Sequence, residues 1–305
     1  MLESIVEVLV FGIQRGAIFG LVGLGLALVY TSTRILNFAQ GELGTVPAFV
    51  AFLIMAGFST DTAADADRGL LLPALVVAVA VGAVLGIALY LAVIRPLGSV
   101  SPVTSLVATA GVALLLTSVE INVFQAAGRP FPRPVAGGFR LPVVDIIVEW
   151  HTIVILGVLA GVAALLAAFF KSAPGVALLA TAQDPFAAEL HGVPVERMRA
   201  MAWGAAGALG ALAGVLGAGV FETLTPGLVT STFLIPAFTG VVLGGITSMV
   251  GAVVGGFALG IVSQAAIEIV TALELDISGP PQLAVLLVLL AVLLVRPQGL
   301  LGRSA

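Results

Sequence analysis

Residues 70–94 read LLLPALVVAVAVGAVLGIALYLAVI, 25 residues without a charge. A bilayer core takes about 20 mostly apolar residues of helix. A run of this length has no polar face to turn toward water, so it reads as a membrane span. The same rule places further spans near 5–31, 43–58, 103–124, 150–170, 200–221, 232–247, 251–270 and 281–296. That makes nine. The runs at 43–58 and 232–247 are short enough to be half-helices, so the reading covers eight to ten crossings.

The composition agrees with this reading. Of 305 residues, 60% are hydrophobic and 9% are charged, against roughly 25% charged in a soluble domain. The mean hydropathy is +1.22. So few charges cannot enclose such a core in water, and lipid is the expected solvent for most of the surface. The fold class is all-α: a polytopic transmembrane helical bundle forming one domain over 1–305. The start, MLESIVEV, is acidic where a signal peptide is basic, which reads as an uncleaved first span.

Loop charges orient the bundle. With the N-terminus outside, Arg34, Arg95, Lys171, Arg197, Arg199, Arg296 and Arg303 fall inside, and Arg68, Arg129, Arg133 and Arg140 fall outside. The outer loops also collect acids, Asp65 and Asp145 among them. Seven basic residues against four, with an odd span count, predict N-out and C-in. The acids Glu120, Glu222 and Glu268 fall toward the outer ends of their spans. The outer segment 125–149, rich in proline and glycine, reads as a small irregular cap.

Much chemistry is excluded. There is no cysteine, so there is no disulfide and no thiolate. The sole lysine, Lys171, follows Phe170 and not glycine, so no phosphate-binding loop is present. His151 and His191 fall on opposite sides of the membrane and share no metal. No HExxH or GxSxG occurs. An enzyme, a cofactor, a metal centre and a nucleic-acid partner are all unexpected; membrane lipid is the expected surroundings. Transport is the natural use of many spans with buried polar groups.

Three stretches carry that use. LNFAQGEL, residues 36–43, sets Asn37, Gln40 and Glu42 between two apolar runs. Asn37 and Gln40 have capping-box spacing, and Glu42 falls in the first turns of the next span, near the positive end of its dipole. One reading is a capped helix start at the inner face. The other adds a lining role in a solute path, since a carboxylate at membrane depth costs about 2.5–3.5 kcal/mol that capping leaves unexplained.

ATAQDPFAAELHGVPVERMR, residues 180–199, lies in the inner loop 171–199. Asp184 is a good N-cap and Pro185 suits the first helical position. Gly192 stops the helix and Pro194 prevents its continuation. Phe186 and Leu190 share one side, with Glu189 between them. The short helix reads as a docking element for a partner's groove, or as an interfacial helix on lipid.

VLGGITSMVGAVVGGFALG, residues 242–260, interrupts two apolar runs with Gly244, Gly245, Thr247, Ser248 and Gly251. Such a reversal must pack on protein or line a cavity. Gly41-x5-Pro47-Ala48 loosely echoes Gly245-x5-Gly251-Ala252, as an internal repeat would. GxxxG spacings, including Gly16–Gly20, Gly82–Gly86, Gly157–Gly161 and Gly256–Gly260, predict close helix packing within the bundle.

Taken together, these stretches resemble the integral-membrane permease of a branched-chain amino-acid ABC importer. NFAQGE is similar to that family's NFAHG(E/D), QDPFAAELHGVPVERMR to its ATPase-binding loop, and VLGGITSMVGAVVGG to its GGxGSxxGAxxG segment. RPLGSVSPVTSLVATAG, residues 95–111, also fits. Gln40 stands where histidine is common and Thr247 where glycine is usual. The resemblance implies a permease domain over 1–305 in a bacterial inner membrane. Its partners would be a second homologous permease, two cytoplasmic ATP-binding subunits and an extracytoplasmic solute-binding protein. Asn37, Gln40, Glu42, Gly244, Gly245, Thr247 and Ser248 would line the solute path. Asp184, Pro185, Phe186, Glu189, Leu190 and Gly192 would form the ATPase coupling element within 171–199. The cargo would be a branched-chain amino acid, or urea, an amide or another small solute. The competing reading is a stand-alone secondary transporter or channel.

Overall fold

The computed structural model describes residues 2–61, 66–98, 101–142, 144, 146–296 and 298–300. Asp65, Asp145 and Arg303, used above for orientation, lie outside the described residues. The chain order is α1 (Leu2–Thr33), a one-turn 3-10 helix (Phe38–Gln40), α2 (Glu42–Met55) and α3 (Leu71–Leu89). A π-turn (Tyr90–Ile94) joins α3 to the short α4 (Arg95–Leu97). Then come α5 (Pro102–Phe124), β1 (Arg129–Pro130), β2 (Gly138–Leu141), β3 (Ile146–Glu149), α6 (Trp150–Lys171), α7 (Ala173–Gln183) and α8 (Pro185–Leu190). The chain ends with α9 (Val195–Phe221), β4 (Thr223–Leu224), a second π-turn (Thr230–Leu234), α10 (Ile235–Gly244), α11 (Met249–Ala272) and α12 (Pro280–Val295).

Helices begin where capping chemistry allows. Ser101 accepts a bond from Thr104 N ahead of α5, with Pro102 at the start, and Ser248 accepts from Gly251 N ahead of α11. Among the described residues, seven helical segments are long and apolar enough to cross a membrane: 3–33, 38–55, 68–97, 102–124, 150–171, 195–221 and 249–272. The apolar helices at 230–244 and 280–295 are shorter.

α1 and α9 form the centre and run antiparallel, Gly25 facing Ala206 and Leu28 clustering with Ala202. Each is crossed antiparallel by a glycine-bearing helix. Gly256 and Gly260 of α11 press on Gly16 and Gly12 of α1. Gly82 and Gly86 of α3 press on Gly207 and Trp203 of α9. Each central helix also carries a parallel neighbour: Phe19 of α1 meets Phe233 at the head of α10, and Gly214 of α9 meets Gly44 of α2. The pattern around α1 is thus repeated, upside down, around α9. Such inverted repeats are frequent in transporters. The repeated sequence is Pro47-Ala48-Phe49 in α2 and Pro236-Ala237-Phe238 in α10. The echo sought at Gly245–Ala252 is a different place: that turn joins α10 to α11. Gly41 and Thr230, six residues before each of those prolines, touch one another. They therefore lie where the two halves meet.

Most GxxxG pairs serve these crossings. Gly157 and Gly161 do not; a Cβ at either would meet nothing within 4 Å. The 125–149 segment is more regular than expected. β2 and β3 form a hairpin, and β1 pairs with β4. Arg129, almost fully buried, ties this cap down by donating to Thr60 O and Ala127 O.

Candidate functional site

The chain leaves α1 at Thr33, turns at Arg34 and runs back into the bundle. Asn37 Oδ1 accepts from Ala39 N at 3.0 Å, so the asparagine caps the 3-10 turn and not α2 itself. Gly41 precedes α2 without any side-chain cap. Gln40 does not reach back to close a capping box. Its Oε1 accepts from Asn37 Nδ2 at 3.3 Å, and its Nε2 donates to Ala206 O at 2.8 Å. Ala206 lies near the middle of α9. The stretch expected at the end of the bundle is therefore held in its interior, and Asn37, Gln40 and Glu42 are all buried.

Glu42 points at α5. Its Oε1 accepts from Thr117 Oγ1 at 2.8 Å, while its Oε2 has no hydrogen-bond partner among the described residues. Glu120, one turn further along α5, faces it. Glu120 Oε2 accepts from Gly227 N at 2.8 Å, and its Oε1 is unpartnered. Glu120 is only 3% exposed. It is therefore not an acid at the outer mouth, as its place in the sequence suggested. Glu222 does reach the surface, 3.3 Å from Arg133 of the cap, and Glu268 accepts from Gln264 at 3.3 Å. Arg133 also binds Glu149 at 2.7 Å.

The turn Gly244–Ser248 is not brought to this centre. Gly245 adopts φ 103°, and the turn is covered by Gly299 and by Leu300, whose N–H donates to Leu243 O. Thr247 is exposed, and Ser248 caps α11. The segment that meets the Asn37 stretch is instead the π-turn Thr230–Leu234, which straddles the start of the apolar run read at 232–247.

The 184–192 element has the anticipated form. Asp184 Oδ1 accepts from Ala187 N at 3.0 Å, Pro185 starts α8, and Gly192 turns the chain at φ 78°. Phe186 is 71% exposed and Leu190 72%, while Ala188 is buried beneath them. Glu189 is exposed. The loop around it is more helical than expected: α7 precedes it, and α9 starts at Val195. α7 packs on α1, α6 and α9, so α8 is fixed to the centre of the bundle.

At the start of α9 lies a cavity of about 390 Å³, lined by Arg34, Tyr90, Arg95, Glu196 and Arg199 among others. Glu196 holds Arg95 at 2.9 Å, Arg199 at 3.4 Å and the Tyr90 hydroxyl at 3.1 Å. Sequence reading counted these arginines for orientation and missed the cluster. A tyrosine near the end of a charge-free run, five residues before Arg95, was the available signal.

The arrangement is that of a transport protein: inverted repeats, interrupted helices meeting in the interior, and a rigid helix exposed on one end. A family model described as "Branched-chain amino acid transport system / permease component" matches residues 8–296. The chain belongs to this family.

The permease is similar to several relatives along nearly its whole length. It is 28% identical to the high-affinity branched-chain amino acid transport system permease protein BraD of Pseudomonas aeruginosa, over 97% of this chain and 95% of that one. It is 30% identical to the probable branched-chain amino acid transport permease protein LivH of Methanocaldococcus jannaschii, over 92% and 88%. LivH of Escherichia coli is 27% identical over 96% and 94%. This is accordingly a multi-pass inner-membrane permease subunit of an ABC-type system, not an enzyme, and ATP hydrolysis lies in separate subunits.

Proposed function

We propose that this permease imports branched-chain amino acids as one of two related permeases, driven by two cytoplasmic ATPases and fed by an extracytoplasmic solute-binding protein. The observation that carries the reading is α8: a capped helix with Phe186 and Leu190 exposed, fixed to the head of a central helix. Copurification from native membrane should recover ATPase subunits, and the assembled complex should take up leucine only with ATP. Uptake by this chain alone would favour a stand-alone transporter.

The contacts support a coupling route. ATPase closure displaces α8, and α8 leads directly into α9. Eleven residues on, about 16 Å at helical rise, Ala206 O holds Gln40. Motion of α9 thereby reaches the 3-10 turn and the Gly41–Thr230 contact. A rigid movement of one repeat against the other opens one side and closes the other.

In this reading Asn37 and Gln40 position the path, and Glu42 with Glu120 lines it. Their facing carboxyl groups suit the ammonium group of a passing amino acid. Gly244, Gly245, Thr247 and Ser248 form a hinge at the inner end of α10 and α11, not a binding wall. Glu42→Gln should leave the amount of folded permease unchanged, since Thr117 retains an acceptor. Leucine uptake should fall about tenfold, the loss of one charge-assisted bond. Unchanged uptake kinetics would remove Glu42 from the path.

The proposed topology has nine crossings with N-out and C-in, the helices at 230–244 and 280–295 completing the count. Cysteines placed at Asp61 and Arg199 in this cysteine-free chain should report it. In intact cells an impermeant thiol reagent should label position 61 and spare 199. The reverse pattern would overturn both the orientation and the coupling route.

A further inference from the structure

We propose that the cavity beside Arg15 is a second subsite on the path, taking the carboxylate of a small aliphatic solute. It rests on the reading that the permease carries aliphatic amino acids.

Arg15 sits in α1, inside a candidate span. Among the described residues it makes no ion pair and no hydrogen bond. A charged side chain in a membrane helix without a partner is costly and marks a functional place. Arg15 opens on a cavity of about 490 Å³ between α1, the second π-turn, α11 and α12. That volume lies within the range of small-molecule sites. The walls are apolar, with Phe19, Phe233, Ile267 and Leu289, and the π-turn adds the hydroxyls of Ser231 and Thr232. Arg15 also borders a second cavity of about 290 Å³, shared with Gln14, Gln264, Arg133 and Glu149 of the cap side.

Three polar side chains at these cavities are more than nine-tenths buried and hold atoms without partners among the described residues. They are Ser263 Oγ in the first cavity, and Gln14 Nε2 and Gln264 Oε1 in the second. Buried polar atoms are normally satisfied, so each such atom needs an explanation. One bound zwitterion seated at Arg15, which lines both cavities, supplies it. The guanidinium reads a carboxylate through two parallel bonds. The amides and the serine complete the polar end, and the apolar wall takes the branched side chain.

The repeat supports the assignment. Ser231 follows Thr230 as Glu42 follows Gly41. Glu42 and Thr117 fill the place beside the first turn, whereas the place beside the second, next to Ser231, is an open cavity bordered by Arg15 of α1.

The test uses the assembled transporter in vesicles, with Ile267→Cys as the sole thiol and its alkylation rate as the readout. Leucine and 4-methylpentanoate should slow alkylation; 3-methylbutan-1-amine, which lacks the carboxylate, should not. Arg15→Gln should weaken the protection by at least tenfold, the loss of a charge-assisted bond. Should Arg15→Gln not be recovered from the membrane, Arg15→Lys serves, and a single cation should still weaken the protection while keeping its preference for carboxylates. Equal protection in wild type and the Arg15 variants overturns the site. So does protection by phosphatidylglycerol in the vesicle but by neither solute, which assigns the cavity to lipid. Leucine uptake by the complex carrying wild-type permease separates the two readings. If leucine is transported and 4-methylpentanoate does not protect, the site is wrong and the substrate reading stands. If leucine is not transported yet 4-methylpentanoate protects through Arg15, the site stands and the substrate reading falls.

Discussion

Serine at both Phe186 and Leu190 is expected to abolish transport while leaving a folded, membrane-inserted permease. Both side chains project from α8 into solvent, and neither belongs to the packed core. Removing them costs the bundle little. For an ATPase groove the loss is large, because a few apolar anchors dominate interface energy, each contributing about 2 kcal/mol or more. Two such anchors correspond to roughly a thousandfold in affinity. Asp184 keeps the helix formed before docking, so no ordering cost offsets the contact. The double variant should elute as a single species, should not retain ATPases on an affinity column, and should give no solute-stimulated ATP hydrolysis. Retention at wild-type affinity would move the contact elsewhere in 171–199 and end the lever mechanism in this form.

That element was legible because its signals are local. Asp184, Pro185 and Gly192 act on backbone within a few residues of themselves, and the structure keeps each role. The apolar runs were legible for the same reason, and the helices end within a few residues of the runs. Depth was not legible. Counting apolar residues sets LNFAQGEL between two runs and hence at a membrane face. Its real place depends on a bond from Gln40 to Ala206 O, made 166 residues away in sequence. Glu120 misled in the same way. An acid one turn from a helix end reads as surface-seeking, until Gly227 and Glu42 are seen to enclose it. Gly157 and Gly161 show the limit of a spacing rule: the motif permits close approach, and among the described residues no helix takes it up.

The internal repeat was partly visible. Pro-Ala-Phe occurs in both α2 and α10, but the residues around it differ, since each half turns its equivalent surfaces to different neighbours. Equivalence therefore survives in the glycine crossings, where two backbones touch and any side chain would force them apart. It survives also at Gly41 and Thr230, whose contact gives the expected result with the largest effect on stability.

Alanine at Gly41 should destabilise the permease by about 3 kcal/mol, the upper part of the range for overpacking. A Cβ there would meet the Thr230 hydroxyl, and also Thr230 Cα and N at 2.6 and 2.7 Å. The hydroxyl can rotate away; the backbone of the π-turn cannot move without displacing α10. Gly157→Ala is the control, because its Cβ would meet nothing and helix propensity favours alanine by about 1 kcal/mol. Thermal inactivation of the solubilised permease should shift down by several degrees for Gly41→Ala and not at all for Gly157→Ala. Adding Thr230→Gly should recover only part of the loss, since it removes the hydroxyl and leaves the main chain in place; the shortfall in a double-mutant cycle measures the backbone contact. Because the two repeats meet at this point, leucine uptake by the surviving Gly41→Ala protein should also slow. Equal inactivation temperatures for the two alanine variants would show that the halves are not pressed together at Gly41, and the contact could not then carry motion from α9 to the path.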